Sequence, residues 1–297
     1  MKKLNLIGVL LLSSVMAFAQ DTDNTNSESL SFTSKNGHEV LPQAGDWAIG
    51  LGASSAIAYF GNLFSDDNNY SGDNPFEFAN TNLPTQVIFG KYMVSSELAY
   101  RGFARLSYNR VATKSKVRAD FNDDPDAYVT DKRVNTSSGI TLGLGLEKRR
   151  GSKRLVGVYG AQAFVNFNQN QTSKMEYGNA LSLENPNPTR SSLAINTAAI
   201  DPTFGNRIVK SSFGSDFGIG AQAFIGAEYY FAPRMSIGGE FYWGLTYTKN
   251  PSSSETWEAW EPSSNSVVEY TSKTSGGSAF NAGLSNIGGA INLFLYF

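Results

Sequence analysis

From Asp46 to the C-terminus, apolar residues alternate with polar or small ones in runs of about ten residues. In the first run, Trp47, Ile49, Leu51, Ala53, Ile57 and Tyr59 share one side; Ala48, Gly50, Gly52, Ser54, Ala56 and Ala58 share the other. A period of two is that of strands, whose successive side chains point to opposite faces. Similar runs occupy 98–109, 140–147, 159–167, 217–231, 236–247 and 286–297. A shorter run at 85–92 is expected to place Val87 and Phe89 on its apolar face. The pattern therefore predicts an all-β chain of eight ribbons.

The connections between ribbons alternate in length. Those after Tyr92, Lys148 and Phe231 are short, whereas 61–84, 112–135, 168–212 and 249–277 are long and rich in Asn, Asp, Ser, Gly and Pro. This alternation predicts a closed antiparallel transmembrane β-barrel with short periplasmic turns and long extracellular loops. Lipid offers backbone groups no hydrogen bonds, so such a sheet must close on itself. Aromatics at the ribbon ends, among them Trp47, Tyr59, Tyr108, Tyr229, Phe231, Tyr247 and Phe297, fit interfacial girdles. The third long loop contains Leu193 to Ile200 and Arg207-Ile-Val209, which either extend strands above the membrane or form one more hairpin. Ten strands is therefore the alternative count.

The chain resembles the small OmpA/OmpX-like outer-membrane barrels of the Bacteroidota. The segment Lys91-Tyr-Met-Val-Ser-Ser-Glu-Leu-Ala-Tyr-Arg101 is similar to their strand–turn–strand. The ending Ile291-Asn-Leu-Phe-Leu-Tyr-Phe297 looks like the C-terminal signal read by barrel-assembly machinery, with Leu293, Leu295 and Phe297 as its alternate apolar positions. The resemblance covers residues 46–297 and implies architecture rather than an activity. It implies outer-membrane lipid and lipopolysaccharide as surroundings, and the assembly machinery as a partner during insertion. A larger outer-membrane protein complex is a further candidate partner.

The N-terminus adds an export route. Met1-Lys2-Lys3 is a short basic region, Leu4 to Phe18 an apolar one, and Ala17-Phe18-Ala19 a small-residue cleavage site. Residues 1–19 are thus expected to be a signal peptide and 20–45 a flexible periplasmic lead-in. An even strand number then leaves both termini on the periplasmic side. The formal net charge of −2 is not that of a nucleic-acid binder. With no Cys, disulfides and thiolate chemistry are excluded.

The candidate chemistry is sparse. The polar faces carry Arg101, Arg105, Glu147, Glu228 and Glu240, all toward the short-turn end. An eight-stranded barrel is just wide enough for side chains to fill, so these charges are expected to pair as a lumen network. Their alternative role is a constriction in a narrow channel. The single His, His38, precedes the first ribbon, away from the extracellular rim where barrel hydrolases hold theirs, so no enzyme is expected. Ca²⁺ is the one cofactor candidate. Asp67-Asn68-Asn69-Tyr70-Ser71-Gly72 begins like a calcium loop but lacks a twelfth ligand. Asp120, Asn122, Asp124 and Asp131 place oxygens at calcium-like spacings, with Pro125 where the turn needs Gly. Trp257 and Trp260, between carboxylates, are candidates to contact a partner or a glycan, or to fold their loop over the barrel mouth. The expected role is structural or interactive, with a place as an accessory subunit of a larger complex as one form of it. Its rivals are a narrow channel and a surface adhesin or glycan binder.

Overall fold

The computed structural model describes residues 32–34, 37–52, 86–151, 153–195, 206–282 and 288–297. Twelve strands run through them in chain order: β1 (Trp47–Gly52), β2 (Gln86–Met93), β3 (Leu98–Arg118), β4 (Tyr128–Arg150), β5 (Leu155–Glu176), β6 (Asn206–Ser212), β7 (Ser215–Ala232), β8 (Met235–Lys249), β9 (Ser253–Glu261), β10 (Ser266–Thr274), β11 (Ser278–Ala282) and β12 (Gly288–Tyr296). The signal peptide, the Asp67–Gly72 motif, and the ends of the first and last ribbons at Ala53–Tyr59 and Ile287 lie outside the described residues.

Eight of these strands close into a ring. β1 pairs β2, β2 pairs β3, β3 pairs β4, and β4 pairs β5. β5 then pairs β7, β7 pairs β8, and β8 pairs β12. β12 returns to β1 in the register Ala48↔Tyr296, Ile49↔Leu295 and Leu51↔Leu293. Every pairing is antiparallel, and the barrel has eight strands as the period-two runs predict.

The alternative of ten ring strands is not realised. β6 pairs β5 at Thr172–Lys174, just past the Gln169↔Ser215 end of the β5–β7 ladder. It therefore continues the line of β7 beyond a break at Phe213 and Gly214, where Gly214 has φ +70°. β9 continues β8 in the same way and pairs β6, while β10 pairs β9 and β11 pairs β8. Arg207-Ile-Val209 thus extends a strand past the barrel rather than adding one to it. β3 and β4 also stay paired as far as Arg118↔Tyr128, so the expected 112–135 loop shrinks to 119–127.

The two faces of the ring carry opposite chemistry. Trp47, Ile49, Leu51, Tyr100, Leu106, Leu142, Phe241, Trp243, Leu293 and Leu295 point outward and are exposed; Leu144 reaches 77% exposure. Inside, glycines make room for aromatic rings. A Cβ on Gly143 would lie 2.1 Å from Phe103 Cε1, and one on Gly50 would lie 2.4 Å from Phe294 Cδ1. β2 departs from expectation: Phe89 is buried in the lumen while Ile88 is exposed. Phe89 faces Phe103 and Phe294 at 6.3 and 6.1 Å between ring centroids. This strand is apolar on both faces, so its alternation did not reveal which face turns inward.

Part of the segment expected as a flexible lead-in is built into the barrel. Thr33 and Glu39 bridge a small turn, and Val40 and Leu41 are 0% and 3% exposed. They join Met93, Ala99, Val156, Tyr230, Phe294 and Tyr296 in a cluster at the short-turn end. Arg234, in the tight turn between β7 and β8, donates its backbone N–H to the Val40 carbonyl and accepts one from Tyr296. Burial of two aliphatic side chains favours this docking by about 1.5–3 kcal/mol each.

Candidate functional site in the lumen

A layer of charge crosses the lumen above the short turns. Strand alternation brings Lys91 of β2, Arg101 of β3, Glu147 and Arg149 of β4, Glu228 of β7 and Glu240 of β8 onto the inner face, all buried. Glu147 meets three cations: Lys91 Nζ at 3.0 Å, Arg149 Nη1 at 3.0 Å and Arg101 Nη1 at 3.3 Å. Glu228 accepts from Lys91 at 3.3 Å and Arg149 at 3.1 Å, and from the hydroxyls of Ser236 and Tyr296. Glu240 receives a two-pronged contact from Arg101 at 3.2 and 3.0 Å, and the Tyr242 hydroxyl donates to it. Lys91 Nζ lies 4.0 Å over the Phe294 ring and the Arg101 guanidinium 4.1 Å over Phe224. Three cations therefore neutralise three carboxylates. An uncompensated ion at such a site would carry a desolvation penalty of several kcal/mol.

The expected network is thus assembled in part and enlarged. Arg101, Glu147, Glu228 and Glu240 come together. Arg105 stands two inward positions further from the turns, beyond Phe103, and lines the space above. Sequence reasoning missed Lys91 and Arg149. Lys91 was hidden by the reversed face of β2, and Arg149 was counted as turn although β4 runs on to Arg150. The strict alternation Glu147, Arg149 was the available signal.

Above the charge layer the lumen opens into a cavity of about 720 Å³. Phe103 and Phe164 form part of its wall, their centroids 6.5 Å apart at an interplanar angle of 52°. Asn109, Asn166, Asn168 and Gln222 line it together with Thr246 and Thr248. Arg105 is the one charged side chain among its described lining residues. Gln162, the register partner of Gln222, is buried, and its Oε1 has no hydrogen-bond partner. Asn292, also buried on the lumen face, has neither amide atom paired.

Beyond the ring, the long strands carry a sheet, and the chain after β5 is pinned to it. Asp131, fully buried on β4, accepts the Gly178 N–H at 2.9 Å and the Ser191 N–H at 2.7 Å. Asp120 accepts the Thr189 N–H and the Asn185 side-chain amide, each at 2.8 Å. Partial burial pushes the Asp120 carboxyl up, but hydrogen bonds from the Thr189 side chain, the Asn185 amide and the Thr189 N–H outweigh it and hold it below the usual Asp value. Asn122 and Asp124 turn their oxygens onto the backbone N–H groups of Asp124 and Asp126. The four candidate calcium ligands thus accept N–H groups of the chain itself. Among the described residues, no cluster of three or more His, Cys, Asp and Glu side chains is gathered for a metal ion.

Trp257 and Trp260 both lie on β9, a strand of this outer sheet rather than a loop over the mouth. Trp257 is opposite Ile208 and Tyr270, and Trp260 is opposite Val267. A separation of three along a strand sends the two indoles to opposite faces, so they do not form one platform. Leu293, Leu295 and Phe297 point outward at the closing strand pair. His38 is exposed beside the docked N-terminal turn, with its N–H on Ser34.

No family model matches the chain, and no curated protein matches it.

Proposed function

We propose that the chain is an integral outer-membrane barrel with a sealed lumen, which acts through the sheet and loops at its long-loop end. One observation carries this reading. A closed ring exposes an aliphatic and aromatic band outside and buries a charge-balanced layer of ion pairs inside. A soluble protein rarely exposes an apolar surface this extensive. A bilayer turns the same surface into favourable burial and needs a ring without edges. Trp47, Tyr229, Phe231 and Phe297 lie outward near the strand ends and suit the interfaces. The role is structural or one of contact, in keeping with an accessory subunit beside larger outer-membrane proteins. A narrow channel fits less well, because the charge layer and the docked Val40–Leu41 segment stand in series across the lumen.

The test is native purification from outer membranes in mild detergent, with identification of everything that co-migrates. Recovery in the outer-membrane fraction with a stoichiometric partner is the result expected of an accessory subunit. A lone outer-membrane monomer removes the subunit role. Recovery in the soluble fraction overturns the membrane reading.

A further inference from the structure

We propose that the cavity above the charge layer is a binding site for a short saccharide that enters from the long-loop end. The inference rests on the reading of that end as outward-facing. The volume of about 720 Å³ lies within the range of small-ligand sites, roughly 300–1,000 Å³, and suits two or three sugar rings.

The wall chemistry selects the ligand class. Asn109, Asn166 and Gln222 each carry a donor and an acceptor side by side, and Asn168, whose amide N–H donates to Asp216, adds a further acceptor. A sugar hydroxyl is likewise donor and acceptor, so a pair of neighbouring hydroxyls is matched by one amide. Phe103 and Phe164 supply flat apolar faces against which the C–H side of a sugar ring packs. The described lining holds no carboxylate, so it offers nothing to attract a cation. A polyphosphate would call for more positive charge than Arg105 alone supplies. One guanidinium in a field of amides is compatible with a neutral sugar or with one bearing a single carboxylate.

A second observation points the same way. Gln162 faces the lumen beside Gln222, is 2% exposed, and leaves its Oε1 without a partner. A buried acceptor left unmet is costly. Gln162 lies just outside the cavity lining, so a water bridging it to a bound sugar satisfies that acceptor. The charge layer beneath makes this a closed-ended pocket rather than a passage.

The experiment uses the full mature chain refolded in amine-oxide detergent, which carries no sugar head group. Maltotriose, chitobiose and digalacturonic acid are the probes, read by saturation-transfer NMR and calorimetric titration. At least one probe is expected to bind, and Asn166→Ala with Gln222→Ala is expected to weaken it by about ten-fold or more. Trp257→Ala is expected to leave the affinity unchanged. Heat-modifiable gel mobility confirms that each variant is a folded barrel, and Thr246→Ala serves as a milder second variant if the double one does not fold. Digalacturonate binding alone, lost with Arg105→Gln, narrows the class to acidic sugars and supports the site. Three silent probes with a folded wild type overturn the proposal. So does binding that survives the cavity variants or disappears with Trp257→Ala. None of these outcomes depends on where the protein resides in the cell, so a failure here is separate from failure of the membrane reading.

Discussion

Glu147 is the residue on which the lumen turns, because it alone touches Lys91, Arg101 and Arg149. Glu147→Gln keeps the shape and removes the charge, leaving one buried cation uncompensated. Chemical unfolding in detergent or lipid should show a loss of about 3–5 kcal/mol. Adding Lys91→Met to that variant restores the balance and should recover part of the loss, a coupling that a double-mutant cycle reads directly. Gly143 makes a different demand. The Phe103 ring occupies the space of its missing side chain, so Gly143→Val should cost about 1–3 kcal/mol by overpacking in the same assay. These two residues mark what was legible at this scale. Small residues opposite large ones were visible in the alternation. The cations were only half visible, because Lys91 sits on a strand whose two faces are both apolar elsewhere.

The strand pattern announced the eight ring elements because each has one apolar face turned outward and one face against a crowded interior. What it could not announce is where those strands go once they leave that environment. Above the ring both faces of β3, β4 and β5 become polar, so the alternation fades while the ladder continues to Arg118↔Tyr128. For the same reason β9 and β10 are hidden within what reads as a loop, whereas β6 shows through as Arg207-Ile-Val209. Asp131 belongs to this outer layer and fastens the segment after β5 to it. Asp131→Ala leaves the Gly178 and Ser191 N–H groups without their acceptor; with Gly178 exposed and Ser191 half-buried, water replaces part of it and each loss should be about 1 kcal/mol. Hydrogen exchange should then speed at those two amides and not in the ring strands. Asp120 gives the same segment a pH dependence. Its carboxyl is held below the usual Asp value, so its anchoring is complete at neutral pH and is lost as the pH falls through that lowered value. Protection of the Thr189 amide, relative to its intrinsic exchange rate at each pH, should therefore be high near pH 5 and fall only in stronger acid. Asp120→Asn should weaken the anchor at every pH.

The molecule as a whole is layered along its axis: a docked N-terminal turn, a neutral charge layer, a polar cavity and an outer sheet. The first layer was not legible in the sequence. Val40 and Leu41 sit in polar chain without period, and only the apolar cluster at the short-turn end explains their burial. Because the first two layers stand in series, loss of the first alone should not open the lumen. The account rests most heavily on that seal, and single-channel recording tests it most directly. The chain from residue 20 onward, reconstituted in planar bilayers with insertion verified by protease protection, is predicted to give no conductance steps above leak. The same silence is predicted after deletion of residues 20–41. Reproducible, ion-selective steps from the wild-type barrel would contradict the sealed lumen and make the charge layer a selectivity filter.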